Sequence, residues 1–275
     1  MAFSLAELNG VVGKGLTFME HIFYRYLSSH GFETLKNCWF MASRPSKYWG
    51  NWSSTAASDP FECKPQMVID GRSLLLEGVK VDHAAFADNF NAAFNDPQTM
   101  DSMVRILCLS DPLRHSSTDL YMWYRYGKKF SGVRIGIKLS LDEEGVCNML
   151  RRFRGEYVKY GRLQNNISTS DITTQDDLSE RCFNVIFKKS TRFRLESEFR
   201  LLAGSKYCKS TRGLDFIPLD NDMIVSVDIG YRMPDAAKMK LLRHCKRNFN
   251  LDFIKEARCA GRTVEYKELY NRRCN

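Results

Sequence analysis

Residues 194–202 read Arg-Leu-Glu-Ser-Glu-Phe-Arg-Leu-Leu, and their charged and apolar side chains alternate. A period of two is typical of a β-strand, so we predict a strand over 194–203. Alternation then places Glu196, Glu198 and Arg200 together on one face of that strand. Such a face is either a solvated strand surface or an acidic pair in a cleft, in which Arg200 keeps a carboxylate ionised. The alternation alone favours the solvated surface.

Patterns elsewhere in the chain predict an α+β fold. Runs rich in aromatic and β-branched residues predict strands at 18–26, 38–42, 104–110, 132–139, 157–160, 223–229 and 252–257. The helical spacing of apolar residues predicts helices at 82–94, 117–128, 141–153, 175–188 and 234–248. Because short strands are interspersed with helices, we expect a mixed, mostly antiparallel sheet.

The length of the chain bounds its domain organisation. Its 275 residues exceed the ~150 usual for one domain but fit a single larger α+β unit. Residues 1–17 contain a short apolar piece and three glycines, which predicts an N-terminal arm ahead of one α+β domain over 18–275. Residues 43–65 contain three prolines and two tryptophans, a composition typical of a functional loop.

Composition restricts the class of protein. Lys and Arg number 41 against 32 Asp and Glu, and the formal net charge of +9 favours polyanionic partners such as nucleic acid. The nine cysteines form no C-x-x-C pair, so we expect reduced thiols in a cytoplasmic protein. The spacing of His244, Cys245, Cys259 and Cys274 matches no zinc pattern, and we predict no metal site. Charged residues interrupt the apolar N-terminus, so we expect neither a signal peptide nor a membrane span.

A second cluster of interest is the aromatic segment 121–126, Tyr-Met-Trp-Tyr-Arg-Tyr. Its rings could hold a nucleobase or another flat ligand, with basic residues nearby for phosphate. The alternative is ordinary core packing at helical spacing, which we favour for Met122 and Trp123. For Tyr126 the two alternatives are evenly balanced, because a buried hydroxyl needs a hydrogen-bond partner.

A third cluster, Tyr24-Arg25-Tyr26, ends the first predicted strand. Alternation puts the two tyrosines on one face and Arg25 on the other, so the strand cannot be ordinary core on both faces.

Familiar catalytic motifs are absent from the sequence. There is no Walker loop, no G-x-G-x-x-G, no H-E-x-x-H and no G-x-S-x-G, which leaves P-loop, Rossmann, zincin and hydrolase chemistries without support.

The order of these segments is more specific than any one of them. The segments are 24–26, 39–45, 59–62, 108–110, 122–132 and 188–201. In this order, between residues 23 and 229, the chain resembles a family of uncharacterised bacterial proteins known as a domain of unknown function. The family pattern carries Asn, His and Trp where this chain has Ser58, Arg125 and Phe193.

The strand order and the Glu-x-Glu pair of that family look like those of the ADP-ribosyltransferase superfamily. Members of this superfamily surround NAD with residues from three strands, and the corresponding positions here are Arg25 or Tyr26, Ser43, and Glu198 preceded by Glu196. The resemblance implies an ADP-ribosyltransferase-like fold with NAD as substrate. It also implies that Glu198 stabilises an oxocarbenium-like ribose and that Glu196 orients or deprotonates the acceptor.

The same resemblance extends to the remaining groups of NAD. Arg25 or Arg200 would pair with the diphosphate, and Tyr126 or Trp123 would stack on nicotinamide. On this hypothesis Glu198→Ala abolishes NAD turnover and leaves the melting temperature unchanged.

Three functions therefore remain open at the level of sequence. The first is an NAD-dependent ADP-ribosyltransferase-like enzyme, or an NAD glycohydrolase, acting on a protein or nucleic-acid acceptor; a toxin or antiphage-defence role would suit it, although no residue identifies one. The second is a nucleic-acid-binding or nuclease-like effector whose basic residues bind phosphate. The third is a non-catalytic interaction module in which the charged strand face is only a salt-bridged surface.

Overall fold

The computed structural model describes residues 19–28, 31–48, 62–70, 74–76, 78–149, 152–162, 165–251 and 253–272. Its strands are β1 (Met19–Leu27), β2 (Trp39–Ala42), β3 (Gln66–Val68), β4 (Leu74–Leu76), β5 (Val79–Val81), β6 (Val104–Ser110), β7 (Val133–Leu141), β8 (Cys147–Met149), β9 (Phe153–Tyr157), β10 (Lys159–Gly161), β11 (Asn166–Ser168), β12 (Lys188–Ser190), β13 (Glu198–Gly204), β14 (Lys209–Thr211), β15 (Leu214–Pro218), β16 (Ile224–Gly230), β17 (Phe253–Ala260) and β18 (Thr263–Asn271). Its α-helices are α1 (Gly31–Asn37), α2 (His83–Asn95), α3 (Pro97–Met103), α4 (Thr118–Arg125), α5 (Gln175–Ile186) and α6 (Asp235–Asn248). The α+β class is confirmed.

The main sheet has nine strands in the order β18-β17-β16-β7-β1-β6-β13-β9-β8. Every pair in it is antiparallel except β16 and β17, which α6 connects as a crossover. The predicted mixed, mostly antiparallel sheet is therefore confirmed. Helices α1 and α6 cover one face through Leu35, Leu241 and Cys245, where Phe23 of β1 stacks on Phe199 of β13 with ring centroids 4.0 Å apart. Helix α4 packs on the opposite face.

The sheet splits between its two central strands. Strand β1 pairs with β7 along all nine of its residues, but it pairs with β6 only where Tyr24 faces Ser110. Further along β6, its free edge is occupied by Ser43, whose backbone exchanges hydrogen bonds of 2.8 and 2.9 Å with Ile106. The gap left between these two attachments opens a cleft in the middle of the sheet.

Gly132 lies where the turn after α4 enters β7 and passes close to the end of β1. A Cβ atom added to Gly132 would lie 2.0 Å from the carbonyl oxygen of Leu27. That oxygen belongs to the backbone, so the contact cannot be relieved without displacing the backbone of one of the two segments. We expect Gly132→Ala to lower the free energy of unfolding by about 1–3 kcal/mol in urea titration. Gly161, with no atom within 4 Å of its added Cβ, is the matched control, and Gly161→Ala should change stability by less than about 0.5 kcal/mol.

Most of the predicted elements are confirmed, and the predicted helix over 141–153 is wrong. There β7 continues to Leu141 and a tight turn leads into β8 and β9. The Asp142 carboxylate accepts hydrogen bonds from the backbone of Glu144 and Val146, and Gly145 adopts a φ of 78°. This turn chemistry stabilises a hairpin over a helix.

The predicted strand over 194–203 is also only partly right. Residues Thr191–Glu196 form a 3₁₀ helix and the strand begins at Glu198. Strand β18 was not predicted at all.

The proposed N-terminal arm, 1–17, lies outside the described residues, so the division into an arm and one domain stays a prediction. In the described part of the chain, no helix has the length and apolar character that a membrane crossing requires.

Candidate functional site

The cleft between β1 and β6 widens into a pocket of about 190 Å³. Strands β1, β6 and β13, helix α4 and the segments that follow β2 and precede β3 all contribute to its wall. The polar or aromatic lining residues are Tyr24, Arg25, Tyr26, Ser43, Tyr48, Glu62, Cys108, Tyr126, Lys189, Glu196 and Glu198. The volume is enough for several waters or a part of a larger ligand.

A network of buried ion pairs forms the floor of the pocket. The Lys189 ammonium donates to Glu196 Oε2 at 2.7 Å and to Glu198 Oε2 at 2.6 Å, and Glu62 Oε1 lies 3.9 Å away. Behind it, Arg200 donates through Nε to Glu198 Oε1 at 2.7 Å and pairs with Glu62. All five side chains are buried, so two cations compensate three carboxylates away from water. The solvated strand surface predicted from alternation alone is therefore wrong.

Glu196 is the carboxylate nearest the mouth of the pocket. Its Oε1 accepts a hydrogen bond of 2.7 Å from the Tyr126 hydroxyl, and Arg125 lies 3.7 Å from the same atom. The Arg125 guanidinium also donates to Tyr126 at 3.3 Å. Arg125 stands where the family pattern has His, so a basic group still faces this carboxylate.

Burial and charge act in opposite directions on the floor residues. Burial alone would raise the pKa of Glu198, but Arg200 and Lys189 outweigh it and hold the pKa well below its usual value. Burial raises the pKa of Glu62 despite Arg200 and Lys189. Burial opposes the charge of Lys189, yet Glu198, Glu196 and Glu62 raise its pKa well above the ordinary value. At neutral pH the floor therefore holds an ionised Glu198 beside a protonated Lys189.

A backbone reversal at Ser197 separates the two glutamates that line the pocket. Ser197 is left-handed, with φ 42° and ψ 54°, and interrupts the strand alternation that was predicted. Its carbonyl accepts from the backbone of Asp111 at 2.9 Å, and its hydroxyl lies 3.0 Å from that of Thr118. The Ser110 hydroxyl donates to the Glu196 carbonyl at 2.6 Å. These contacts with the end of β6 fix the carboxylate pair.

Strand β1 supplies the opposite wall of the pocket. The Arg25 guanidinium donates to the carbonyl of Cys108 at 2.5 Å, across the gap where β1 and β6 separate. Tyr26 donates to Asp119 at 2.5 Å, and Asp119 in turn pairs with the buried Arg134 at 3.1 Å. Asp119 and Arg134 thus form a second ion network, which holds Tyr26 of β1 against α4.

The structure brings together six of the eight predicted site residues. Those that line the pocket are Arg25, Tyr26, Ser43, Tyr126, Glu196 and Glu198. Trp123 is completely buried and stacks on Phe130 at 5.1 Å, which agrees with the core packing that we favoured for it, and it does not line the pocket. Arg200 is also completely buried, behind Glu198, so of the two arginines considered for a diphosphate only Arg25 lines the pocket.

Sequence reasoning missed three functional side chains. Lys189 belongs to the F-K-K-S segment of the family pattern, yet nothing in the spacing tells its ammonium apart from that of Lys188. Glu62 ends the 59–62 segment of the resemblance, within the 43–65 loop, but no role was predicted for it. Tyr48, whose hydroxyl lies 3.0 Å from Cys108 Sγ, comes from the same loop. Burial raises the pKa of the Cys108 thiol to about 12, so it is an inert part of the wall.

Comparisons with known proteins complete the description of the site. No protein-family model, curated protein or solved structure matches the chain. Among the described residues, no group of His, Cys, Asp and Glu side chains is arranged to hold a metal ion. The resemblance to the ADP-ribosyltransferase superfamily and the cytoplasmic location stay predictions.

Proposed function

We propose that the pocket binds NAD as a substrate and cleaves the bond between nicotinamide and ribose. The protein would then be an ADP-ribosyltransferase-like enzyme with the fold of that superfamily, or an NAD glycohydrolase, acting on a protein or nucleic-acid acceptor. The observation that carries the proposal is the convergence of Glu196 and Glu198 with Arg25 and Tyr126 on one pocket at the split in the sheet.

The chemistry of this cleavage suits an ionised carboxylate. As the glycosidic bond breaks, its electron pair leaves with the nicotinamide nitrogen and positive charge develops on the ribose. A fixed negative charge near that ribose lowers the barrier, because it is already oriented and needs no reorganisation. Glu198 meets this requirement, since Arg200 and Lys189 keep it ionised and hold it in place.

Glu196 is placed to act on the acceptor. Each of its oxygens accepts one hydrogen bond, from Tyr126 and from Lys189, and a carboxylate oxygen can accept a second one. A water or acceptor hydroxyl that attacks the ribose must lose a proton, and Glu196 lies nearest the mouth to take it. Arg25 supplies the positive charge that a diphosphate requires on the opposite wall.

The competing functions fit the pocket less well. A phosphate backbone would meet three carboxylates on the floor, and a nuclease would need a metal ion there to compensate them. In the structure, Lys189 occupies the centre of that acidic group. A purely salt-bridged surface would lie at the exterior, whereas these ion pairs line a concave site.

Glu196→Gln tests the proposal with the least disturbance of the fold. The amide keeps an oxygen for Tyr126 but is no longer a proton acceptor of useful strength. We expect nicotinamide release from NAD, measured by mass spectrometry with a bacterial lysate as the source of acceptors, to fall at least about 100-fold. Transfer of ADP-ribose to a lysate component would distinguish a transferase from a glycohydrolase.

The control for this experiment is Glu180→Gln on the exposed surface of α5, which should retain full activity. Glu180→Gln should unfold within about 1 kcal/mol of the parent, whereas Glu196→Gln loses a charged partner of Lys189, so urea unfolding of both variants accompanies the activity assay. The proposal fails if the parent protein neither binds NAD in calorimetry nor releases nicotinamide, or if Glu196→Gln is as active as Glu180→Gln.

A further inference from the structure

Helix α6 concentrates positive charge on its solvent side. Its exposed cations are Lys240, Arg243, Lys246 and Arg247, and its single acidic residue is Asp235 in the first turn. At 100° per residue these four cations fall within a sector about 120° wide. Within the described part of the chain, no salt bridge involves any of the four, because the nearby carboxylates pair with Lys238 and Arg258 instead.

Two further exposed cations lie beside the first turns of α6. A cavity of about 350 Å³ beside the first turns of α6 is lined by Lys128 and Arg232 together with Ala237 and Leu241 of the helix. Both cations are exposed. Lys128 follows Tyr126 by two residues, so the two Cα atoms are at most about 7.6 Å apart. We call the six side chains the basic stripe: Lys128, Arg232, Lys240, Arg243, Lys246 and Arg247.

The stripe is local and does not simply reflect the net charge of the chain. Helix α5 shows the opposite pattern, with Asp176, Asp177 and Glu180 against the single cation Arg181. Two of the stripe lysines are also held by aromatic rings: Lys240 lies 4.4 Å from the Phe32 ring centroid and Lys246 lies 4.3 Å from that of Tyr270. Such contacts preorganise the lysine stems while the side chains remain exposed.

We propose that the basic stripe binds a nucleic-acid strand through its phosphates. The four α6 cations lie between positions 240 and 247, a span of about 10 Å along the helix axis, which matches about three phosphates of one duplex strand at about 3.4 Å each. Exposed lysines and arginines at these intervals neutralise phosphates without reading bases, so the binding is independent of sequence. That this strand is also the acceptor of ADP-ribose rests on the proposed function, whereas the binding itself does not.

The test compares two variants of equal net charge. One neutralises α6 by Lys240→Gln, Arg243→Gln, Lys246→Gln and Arg247→Gln. Its control removes four exposed cations elsewhere by Lys80→Gln, Lys159→Gln, Lys206→Gln and Arg212→Gln. Fluorescence anisotropy with labelled DNA and RNA of about 20 nucleotides, single-stranded and duplex and without NAD, gives affinity as a function of salt.

We expect the α6 variant to bind at least about tenfold more weakly than the parent at ~100 mM salt. The slope of log K against log salt should become shallower by about 3, because four counterion-releasing contacts are lost. The control variant should stay within about twofold of the parent, since its four cations are exposed and lie outside α6.

Three outcomes would overturn the inference. They are an equal loss of affinity in both variants, no binding by the parent at ~50 mM salt, and binding of polyglutamate as tight as that of nucleic acid, which would identify an acidic protein as the partner. Because the assay contains no NAD, its failure leaves nicotinamide release unaffected. A failure of NAD cleavage would likewise leave the binding result intact.

Discussion

Arg200→Met is expected to lower the free energy of unfolding by about 3–5 kcal/mol at pH 7. Arg200 is completely buried and pairs with both Glu198 and Glu62. Methionine fills much of the same volume but leaves Lys189 as the single buried cation of the floor network, beside three buried carboxylates. Removing one partner from a buried ion network costs more than the network contributes when intact, because the remaining charge stays uncompensated. Urea unfolding followed by circular dichroism measures the difference.

Acidification should reduce the difference in the free energy of unfolding between Arg200→Met and the parent. In the parent, burial would raise the pKa of Glu198, but Arg200 and Lys189 hold it well below its usual value. That carboxylate therefore stabilises the fold at pH values above the ordinary glutamate pKa, and the contribution is lost only as pH falls through the lowered value. In Arg200→Met the pKa of Glu198 should rise, because Arg200 is the charge that lowers it most, so protonation at a higher pH than in the parent relieves the uncompensated charge.

Two further variants make this prediction specific. Arg200→Lys keeps the charge but loses the planar fork of the guanidinium. Its free energy of unfolding should therefore lie between that of the parent and that of Arg200→Met. Arg152→Met removes an exposed arginine and should change stability by less than about 0.5 kcal/mol. Two results would contradict an electrostatic role of the network. One is a loss of less than about 1 kcal/mol in the free energy of unfolding of Arg200→Met, and the other is a difference from the parent that does not depend on pH.

The same burial changes the expectation for Glu198→Ala. Alternation in the sequence suggested an accessible side chain whose removal would leave the melting temperature unchanged. With Glu198 bonded to both Arg200 and Lys189, its removal should cost stability as well as activity. Glu196, nearer the mouth of the pocket, is for this reason the better probe of chemistry.

Local patterns predicted the elements that depend on local forces. Strand 104–110 and helix 175–188 were found because a continuous apolar run and a buried stripe are visible in sequence. The hairpin after Leu141 was missed because its acidic residues resemble a helix start, while the Asp142 turn and Gly145 determine the structure. In these segments turn chemistry outweighed helical spacing.

The site was predictable in its residue types but not in its electrostatics. Glu196, Glu198 and Arg25 stand out because charged residues cannot occupy ordinary core. Whether a charge is exposed or buried with a partner depends on contacts distant in sequence, as between Arg200 and Glu62. The sequence also gives no sign that β1 and β6 pair only at Tyr24, although this single pairing creates the cleft.

Trp123→Ala is expected to lower the free energy of unfolding by about 3–5 kcal/mol, because it empties a large part of the core beneath the pocket wall. The indole is completely buried, meets Tyr26 edge-on at 5.6 Å and donates through Nε1 to the Tyr266 hydroxyl at 3.1 Å. It also stacks on Phe130, with the two rings only 8° from parallel.

That stack stabilises an unusual turn. Lys128, Lys129 and Phe130 all have left-handed backbones, with φ of 49°, 51° and 66°. Each such residue costs about 1–2 kcal/mol, and the stack of Phe130 on Trp123 helps to offset this cost, together with backbone hydrogen bonds such as that from Arg232 to the Phe130 carbonyl. Without the indole we expect this turn, which connects the pocket to the basic stripe, to lose its fixed conformation.

The neighbouring Tyr124 provides the matched comparison on the same helix. It is about half exposed, at 48%, and Tyr124→Ala should cost no more than about 1 kcal/mol. Urea unfolding of both variants, with NAD binding measured by calorimetry, separates the two roles considered for Trp123. If Trp123→Ala unfolds like the parent but binds NAD more weakly, the residue is a ligand platform. The burial of its whole surface leads us to expect the opposite result, a large loss of stability that accounts for any loss of binding.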